Sequence, residues 1–240
     1  MTLGLRRASI EPEIELNGER VPIVLRQNRR ARRLTLRLAP DGSEVRLTVP
    51  NWAPRAQAIA FAHARAEWLA EQHAGIPRRT APGPGSEVLL RGQALRIEWD
   101  ASAPRSPRLA GDALAVGGPL AGLEGRLRRW LEREALALVE ADMGDYCAAA
   151  RLDPVPVALS RAQRRWGSCS DMSRIRINWR LVQAPDFVRR SVVAHEVAHL
   201  VHFDHSPAFH ALLAQIYEGD IRAADQWLKQ KGRALYAAFG

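Results

Sequence analysis

The chain has 240 residues, of which 47% are hydrophobic and 25% charged, a balance that excludes a disordered protein and supplies enough apolar side chains for a real core. No charge-free stretch approaches the roughly 20 apolar residues of a membrane helix, and the first twenty residues carry charges where a signal peptide would be apolar, so neither membrane insertion nor secretion is expected. The net charge is +9, and all but two of the 35 basic residues, Lys229 and Lys231, are arginine. The excess lies in two blocks, since residues 1–50 hold 10 basic against 6 acidic residues and residues 151–200 hold 9 against 4. Such blocks attract nucleic acid, phosphates or acidic substrates, and serve equally as solubilising surface. Cys147 and Cys169 form neither a disulfide framework nor a CxxC pair, which fits free thiols in a reducing cytoplasm.

In chain order, residues 1–20 read as an N-terminal extension and residues 21–118 as a β-rich region with one long helix. RLTLRLAP and EVRLTVP alternate apolar and polar residues around Asp41-Gly42-Ser43, which predicts a β-hairpin. An alanine-rich amphipathic helix is expected from Arg55 to His73, with Trp68 and Leu69 on its buried face and Gly75 and Pro77 as its stop. The Pro/Gly-rich stretch 78–86 reads as a linker, ahead of two strands in EVLLRG and ALRIEWD. Residues 101–118 read as a loose stretch. A long helix follows over about 120–150, with Gly144 as its possible interruption.

Past Pro154 come strands in VPVALS and RIRINWRLV, separated by the polar connection RRWGSCSDMS. Helices are then expected over Phe187–Phe203, buried on more than one face, over Ser206–Glu218 with Ser206 as N-cap and Pro207 in the first turn, and over Ile221–Phe239. The sequence shows no internal repeat. The fold class is α+β, with a β-rich N-terminal part and a helical, metal-binding part over 119–240.

The chemistry resides in His195-Glu196-Val197-Ala198-His199. On a helix, residues four apart share a face, so His195 and His199 present two imidazoles to one metal ion, and Glu196 beside them can take a proton from metal-bound water. Ionisable groups on a buried helix also need a pair or a metal to offset their burial. Catalytic zinc takes a third protein ligand. His205, six residues after His199 and beyond the expected helix end, is the first candidate, and Glu218, at nearly the thermolysin-like spacing, is the second. His202 fits an outer or capping role better, His210 is weaker still, and His63 and His73 read as surface residues. The metzincin pattern fails, because His202 stands where its glycine would be and Met1, Met143 and Met172 all precede the motif.

With Arg165-Trp166-Gly167-Ser168-Cys169-Ser170, Ile177-Asn178-Trp179-Arg180-Leu181, the segment Val193–Leu200, His205-Ser206 and Phe209 in this order, the sequence resembles the YgjP-type predicted metal-dependent hydrolases, relatives of the SprT and Spartan zinc peptidases. The basic hairpin region and Trp68 extend the resemblance to most of the chain from about Val21. It implies a zincin-like fold, one zinc ion held by His195, His199 and His205, and Glu196 as general base. It also implies that the RRWGSCS segment lies beside the site, where Arg161, Arg164 and Arg165 would either hold an anionic substrate group or form a solvated loop, and Trp166 would meet substrate or, more often for such a residue, pack as a core aromatic. The family's tryptophan after Phe209 is His210 here. A zinc-dependent peptidase acting on peptide or protein is the first expectation. A nucleotide or phosphoester hydrolase is the second, and a DNA-associated protease or nucleic-acid-binding module the third.

Overall fold

The computed structural model describes residues 12–76, 80–170 and 174–239. Met1, Pro77, the start of the 78–86 stretch, Met172 and most of the N-terminal extension lie outside them. The chain divides into two compact units, Met1–Arg78 and Arg79–Gly240.

The first unit is a four-stranded sheet of β1 (Glu13–Leu16), β2 (Glu19–Gln27), β3 (Thr35–Leu38) and β4 (Val45–Val49), in the order β1-β2-β4-β3. β1 therefore falls inside the stretch read as an extension. The β3–β4 hairpin forms where Asp41-Gly42-Ser43 predicts it. Ile14, Leu16, Ile23, Val45, Leu47 and Val49 alternate inward, as a sheet with one covered face requires. Two helices, α1 (Arg55–His63) and α2 (Ala66–Ala74), cover that face where one long helix is expected. The break at Ala64-Arg65 lets α1 pack on β4 and α2 on β1. Leu69 is fully buried, whereas Trp68 is 44% exposed and so does not lie on the inner face.

The second unit opens with another four-stranded sheet: β5 (Glu87–Leu90), β6 (Gln93–Asp100), β7 (Arg108–Ala110) and β8 (Ala113–Gly117), ordered β5-β6-β8-β7. Both sheets pair antiparallel, parallel, antiparallel across their width, and both are followed by helix. Their first hairpins turn alike, through Asn17 and Gly18 at φ 53° and 82° and through Arg91 and Gly92 at φ 52° and 82°, the left-handed pair of a type I′ turn. The fold thus contains an internal repeat that the sequence conceals, because alternating apolar positions and one turn glycine are nearly all the two copies share. An arginine in the left-handed region is strained. Tertiary contacts hold it there: the Arg91 N–H donates to Val182 O at 2.7 Å, that of Gly92 to Gln183 O at 3.1 Å, and the Arg91 guanidinium pairs with Asp186.

β7 and β8 lie in the stretch read as loose. After them α3 (Leu123–Ala149) runs uninterrupted through Gly144. Its first half packs Leu127, Trp130, Leu131 and Ala135 on the β5–β8 sheet. Its second half packs Val139, Met143, Tyr146 and Cys147 into a separate core that carries the site. That core also takes a three-stranded sheet of β9 (Val157–Ser160), β10 (Gly167–Cys169) and β11 (Ile175–Asn178), with β10 at its edge, antiparallel to β11. A 3-10 helix (Trp179–Gln183) leads into α4 (Asp186–Ala198), followed by α5 (Pro207–Ile216), α6 (Ile221–Lys231) and a closing 3-10 turn. The molecule is therefore mixed α+β, with sheets toward the N-terminus and helices toward the C-terminus. Among the described residues no helix is long and apolar enough to cross a membrane.

Candidate metal centre

The centre is built at the C-terminal end of α4. That helix is buried through Val188, Val192, Val193, Ala194, Val197 and Ala198, and it is locked to α3 by ions. The buried Asp142 accepts from Arg189 Nε at 2.7 Å and from Arg190 Nη1 at 2.9 Å, and Arg189 also donates to Asp186 at the start of α4. Arg190 continues the cluster to Asp145 and to Glu218, and Glu218 accepts from the Tyr146 hydroxyl at 2.8 Å. Glu218 is thus engaged in this ion cluster and is not among the residues that converge on the histidines.

The helix stops at Ala198, earlier than its apolar pattern predicts, with His199 as C-cap. The chain turns back through residues 200–205, and Ser206 restarts a helix by accepting the Phe209 N–H. This reversal brings His205 beside His195, with their Nε2 atoms 3.3 Å apart, while the Nε2 atoms of His199 and His195 are 3.2 Å apart. Ligand-type nitrogens of the three imidazoles all lie within 4.8 Å of one another. The fully buried Phe209 floors the cluster, its ring centroid 4.6–5.0 Å from each imidazole.

The donor set suits a metal ion. His199 Nδ1 lies 2.9 Å from the His202 carbonyl, and a carbonyl only accepts, so Nδ1 donates there and Nε2 is the nitrogen turned to the cluster. His202 contributes through its backbone. Burial, joined by the neighbouring charges of His199, His205 and His210, pushes the His195 pKa down to about 4. Three imidazoles that turn ring nitrogens toward one point are a donor set that would suit a divalent ion such as zinc. His210, on α5, keeps its ring 6.3 Å from that of His205.

Glu196, next to His195 on α4, meets β10 through Gly167 and Cys169. Burial pushes its pKa up to about 7, against the Cys169 N–H it accepts from and the positive charge of Arg165. A carboxylate poised near neutrality suits proton transfer. Gly167 makes the approach possible, since a β-carbon there would lie 2.3 Å from Glu196 Oε1. Asn178, fully buried, anchors the preceding loop by donating to Ala162 O at 2.6 Å while accepting from the Arg180 N–H at 3.1 Å. Gly167 and Asn178 stand within the motifs of the resemblance, and only their tertiary contacts give them a role.

The four residues expected to meet substrate separate. Arg165 is near enough to Glu196 to act on its charge. Arg161 pairs with Glu132 of α3 at 2.8 Å, and Arg164 is exposed. Trp166 packs on the Tyr236 ring, 5.8 Å between centroids, and against Gly232, where a β-carbon would meet it at 2.9 Å. The Cys169 thiol is a poor nucleophile, since burial and then the Glu196 charge push its pKa up.

Searches of curated proteins and of solved structures give no match. Over residues 32–231 the sequence matches the family model described as YgjP-like, metallopeptidase domain, so the chain belongs to that family.

Proposed function

We propose that the chain is a cytoplasmic zinc-dependent peptidase with a zincin-like catalytic part. In this reading His195, His199 and His205 hold the ion through Nε2, and Glu196 is the general base. When bound, the ion supplies Lewis acidity, which acidifies a water molecule and polarises a scissile carbonyl. Glu196 takes the proton of the attacking water on its carboxylate and hands it to the leaving amine. The Cys169 N–H and the Gly167 backbone hold that carboxylate in one orientation.

The observation that carries peptide as substrate is the outer edge of β10, where Glu196 takes the Cys169 N–H and no other described strand pairs. Ser170 N–H donates to Arg174 O and Asn178 N–H donates to Trp166 O, so the even-numbered residues of this strand face β11. The backbone groups of Gly167 and Cys169 face away from it, onto the side where Glu196 accepts from Cys169. Among the described residues no further strand pairs with that edge. An extended peptide can add there as a strand, beside Glu196. Arg165 would meet an acidic group of that substrate.

The test is Glu196→Gln, with zinc measured in the same preparations. Zinc retained at about one per chain with hydrolysis of an unfolded protein lowered by about a hundredfold or more supports the reading. Full activity in that variant overturns the role of Glu196. Phosphate or pyrophosphate released from nucleotides and lost in His195→Ala, with no peptide cleaved, would make the bond a phosphoester. Cleavage only in the presence of DNA would give the chain a nucleic-acid partner.

A further inference from the structure

We infer that the Arg79–Gly240 unit carries a second binding site, separate from the histidine centre, for a small oligophosphate anion. It is an open pocket of about 560 Å3 at the start of α3, walled by Arg105, Arg126, Arg129 and Arg133. This volume is that of an ordinary small-ligand site. None of the three histidines, nor Glu196, lines it, so the site does not depend on the proposed peptidase function.

Arg126, Arg129 and Arg133 follow one another at spacings of three and four along α3, which puts them on one face of the helix. Arg126 is fixed: its Nη2 donates to Pro119 O at 2.5 Å and its Nη1 to Ala121 O at 3.4 Å, and its Nε is buried without a hydrogen-bond partner. Arg105 reaches the pocket from the β6–β7 connection over Gly118, which stands at φ +80° and where a β-carbon would lie 2.6 Å from Arg105 Cγ. Gly122 and Gly125 form bare backbone in the lining.

Charge then selects the ligand. No carboxylate lines the pocket. Among the described residues the ion pairs of this unit are made by other arginines: Arg91, Arg96, Arg161, Arg189 and Arg190. Four guanidinium groups gathered without a counter-charge repel one another, and an anion of several charges offsets that repulsion. Guanidinium forks match phosphate oxygens in pairs, so adjacent phosphates on one small molecule satisfy both the charge and the geometry. Inorganic tripolyphosphate and a nucleoside triphosphate share this chemistry.

The test is calorimetric titration of the full chain with inorganic tripolyphosphate and, separately, with adenosine triphosphate. Three proteins are compared: wild type, Arg129→Glu/Arg133→Glu, and Arg108→Glu/Arg222→Glu, which changes charge equally at exposed positions outside the pocket. Any contact of the anion with the histidine centre is common to all three. Saturable one-to-one binding to wild type and to the Arg108/Arg222 variant, weaker by about tenfold or more in the Arg129/Arg133 variant, is the expected result. Arg129→Gln/Arg133→Gln should weaken binding in the same direction, which guards against misfolding from charge reversal. Equal affinity for the two probes assigns the site to the phosphate chain alone, and tighter binding of adenosine triphosphate assigns it to nucleotides. No saturable binding to wild type, equal weakening in both glutamate variants, or tighter binding of a DNA oligonucleotide than of either probe would overturn the inference.

Discussion

The backbone at Gly167 passes so close to Glu196 that a β-carbon on residue 167 would sit 2.3 Å from Oε1, 2.7 Å from Cγ and 2.8 Å from Cδ of that side chain. The strand backbone cannot yield easily, because Gly167 is paired to Ile177 in the sheet, so the Glu196 side chain must move. Gly167→Ala should therefore rotate the carboxylate away from the Cys169 N–H. A displacement of about 1 Å in a catalytic group costs about a hundredfold in rate. Peptidase activity should fall by that order while zinc content and the folded circular-dichroism spectrum are kept. Unchanged activity would mean that the base does not need this support.

The histidine cluster and the ion cluster of Glu218 make opposite demands on metal content. His205→Ala removes one of three converging nitrogens and should lower zinc, measured by elemental analysis, from about one per chain to a small fraction. Glu218→Ala breaks contacts to Arg190 and Tyr146 and should leave zinc unchanged. Zinc lost in Glu218→Ala and kept in His205→Ala would transfer the third ligand to the acidic residue.

Asp142 is 3% exposed and is the shared acceptor of Arg189 and Arg190. Arg189, itself 2% exposed, would lose its buried counter-charge in Asp142→Asn and keep only the partly exposed Asp186. Removing one partner of a buried pair costs about 3–5 kcal/mol. Urea unfolding of the variant should show a loss of that order. A loss below about 1 kcal/mol would place the anchoring of α4 in its apolar contacts alone.

What the sequence makes legible follows from how local each feature is. The four-residue spacing of His195 and His199 is a property of one helix, and Ser206-Pro207 is a local start signal, so both can be read without the fold. Where His205 goes depends on α4 ending at Ala198, and its apolar pattern continues past that point through Leu200 and Val201. β7 is three exposed residues with no alternation to betray it. The bend between α1 and α2 follows from which strands lie beneath them, and no Gly or Pro marks Ala64-Arg65. The contact of Gly167 with Glu196 joins a strand to a helix 29 positions on, which no local pattern encodes. The repeat of the two sheets is a likeness of pairing, and side chains that merely alternate do not spell it out.

The same ion cluster sets a pH dependence of stability. Burial alone would raise the Asp186 pKa, but hydrogen bonds and charge from Arg91 and Arg189 outweigh it and hold the pKa below the ordinary 3.8. Glu218 is pulled likewise below 4.5, its burial outweighed first by the hydrogen bond from Arg190, then by its own backbone N–H and the Tyr146 hydroxyl. Both pKa values are lower folded than unfolded, so both groups stabilise the fold above those ordinary values and lose the contribution as pH falls through the lower, folded ones. Unfolding free energy should therefore fall below about pH 4. Arg190→Gln removes the cation that faces Asp142, Asp145 and Glu218, so it should destabilise at pH 7, with the gap from wild type narrowing toward pH 3. Titration of His195 is common to both proteins and leaves that gap unchanged. A gap that stays constant over the range would mean that Arg190 stabilises through packing on the Tyr146 ring, 4.8 Å from its guanidinium carbon, rather than through charge.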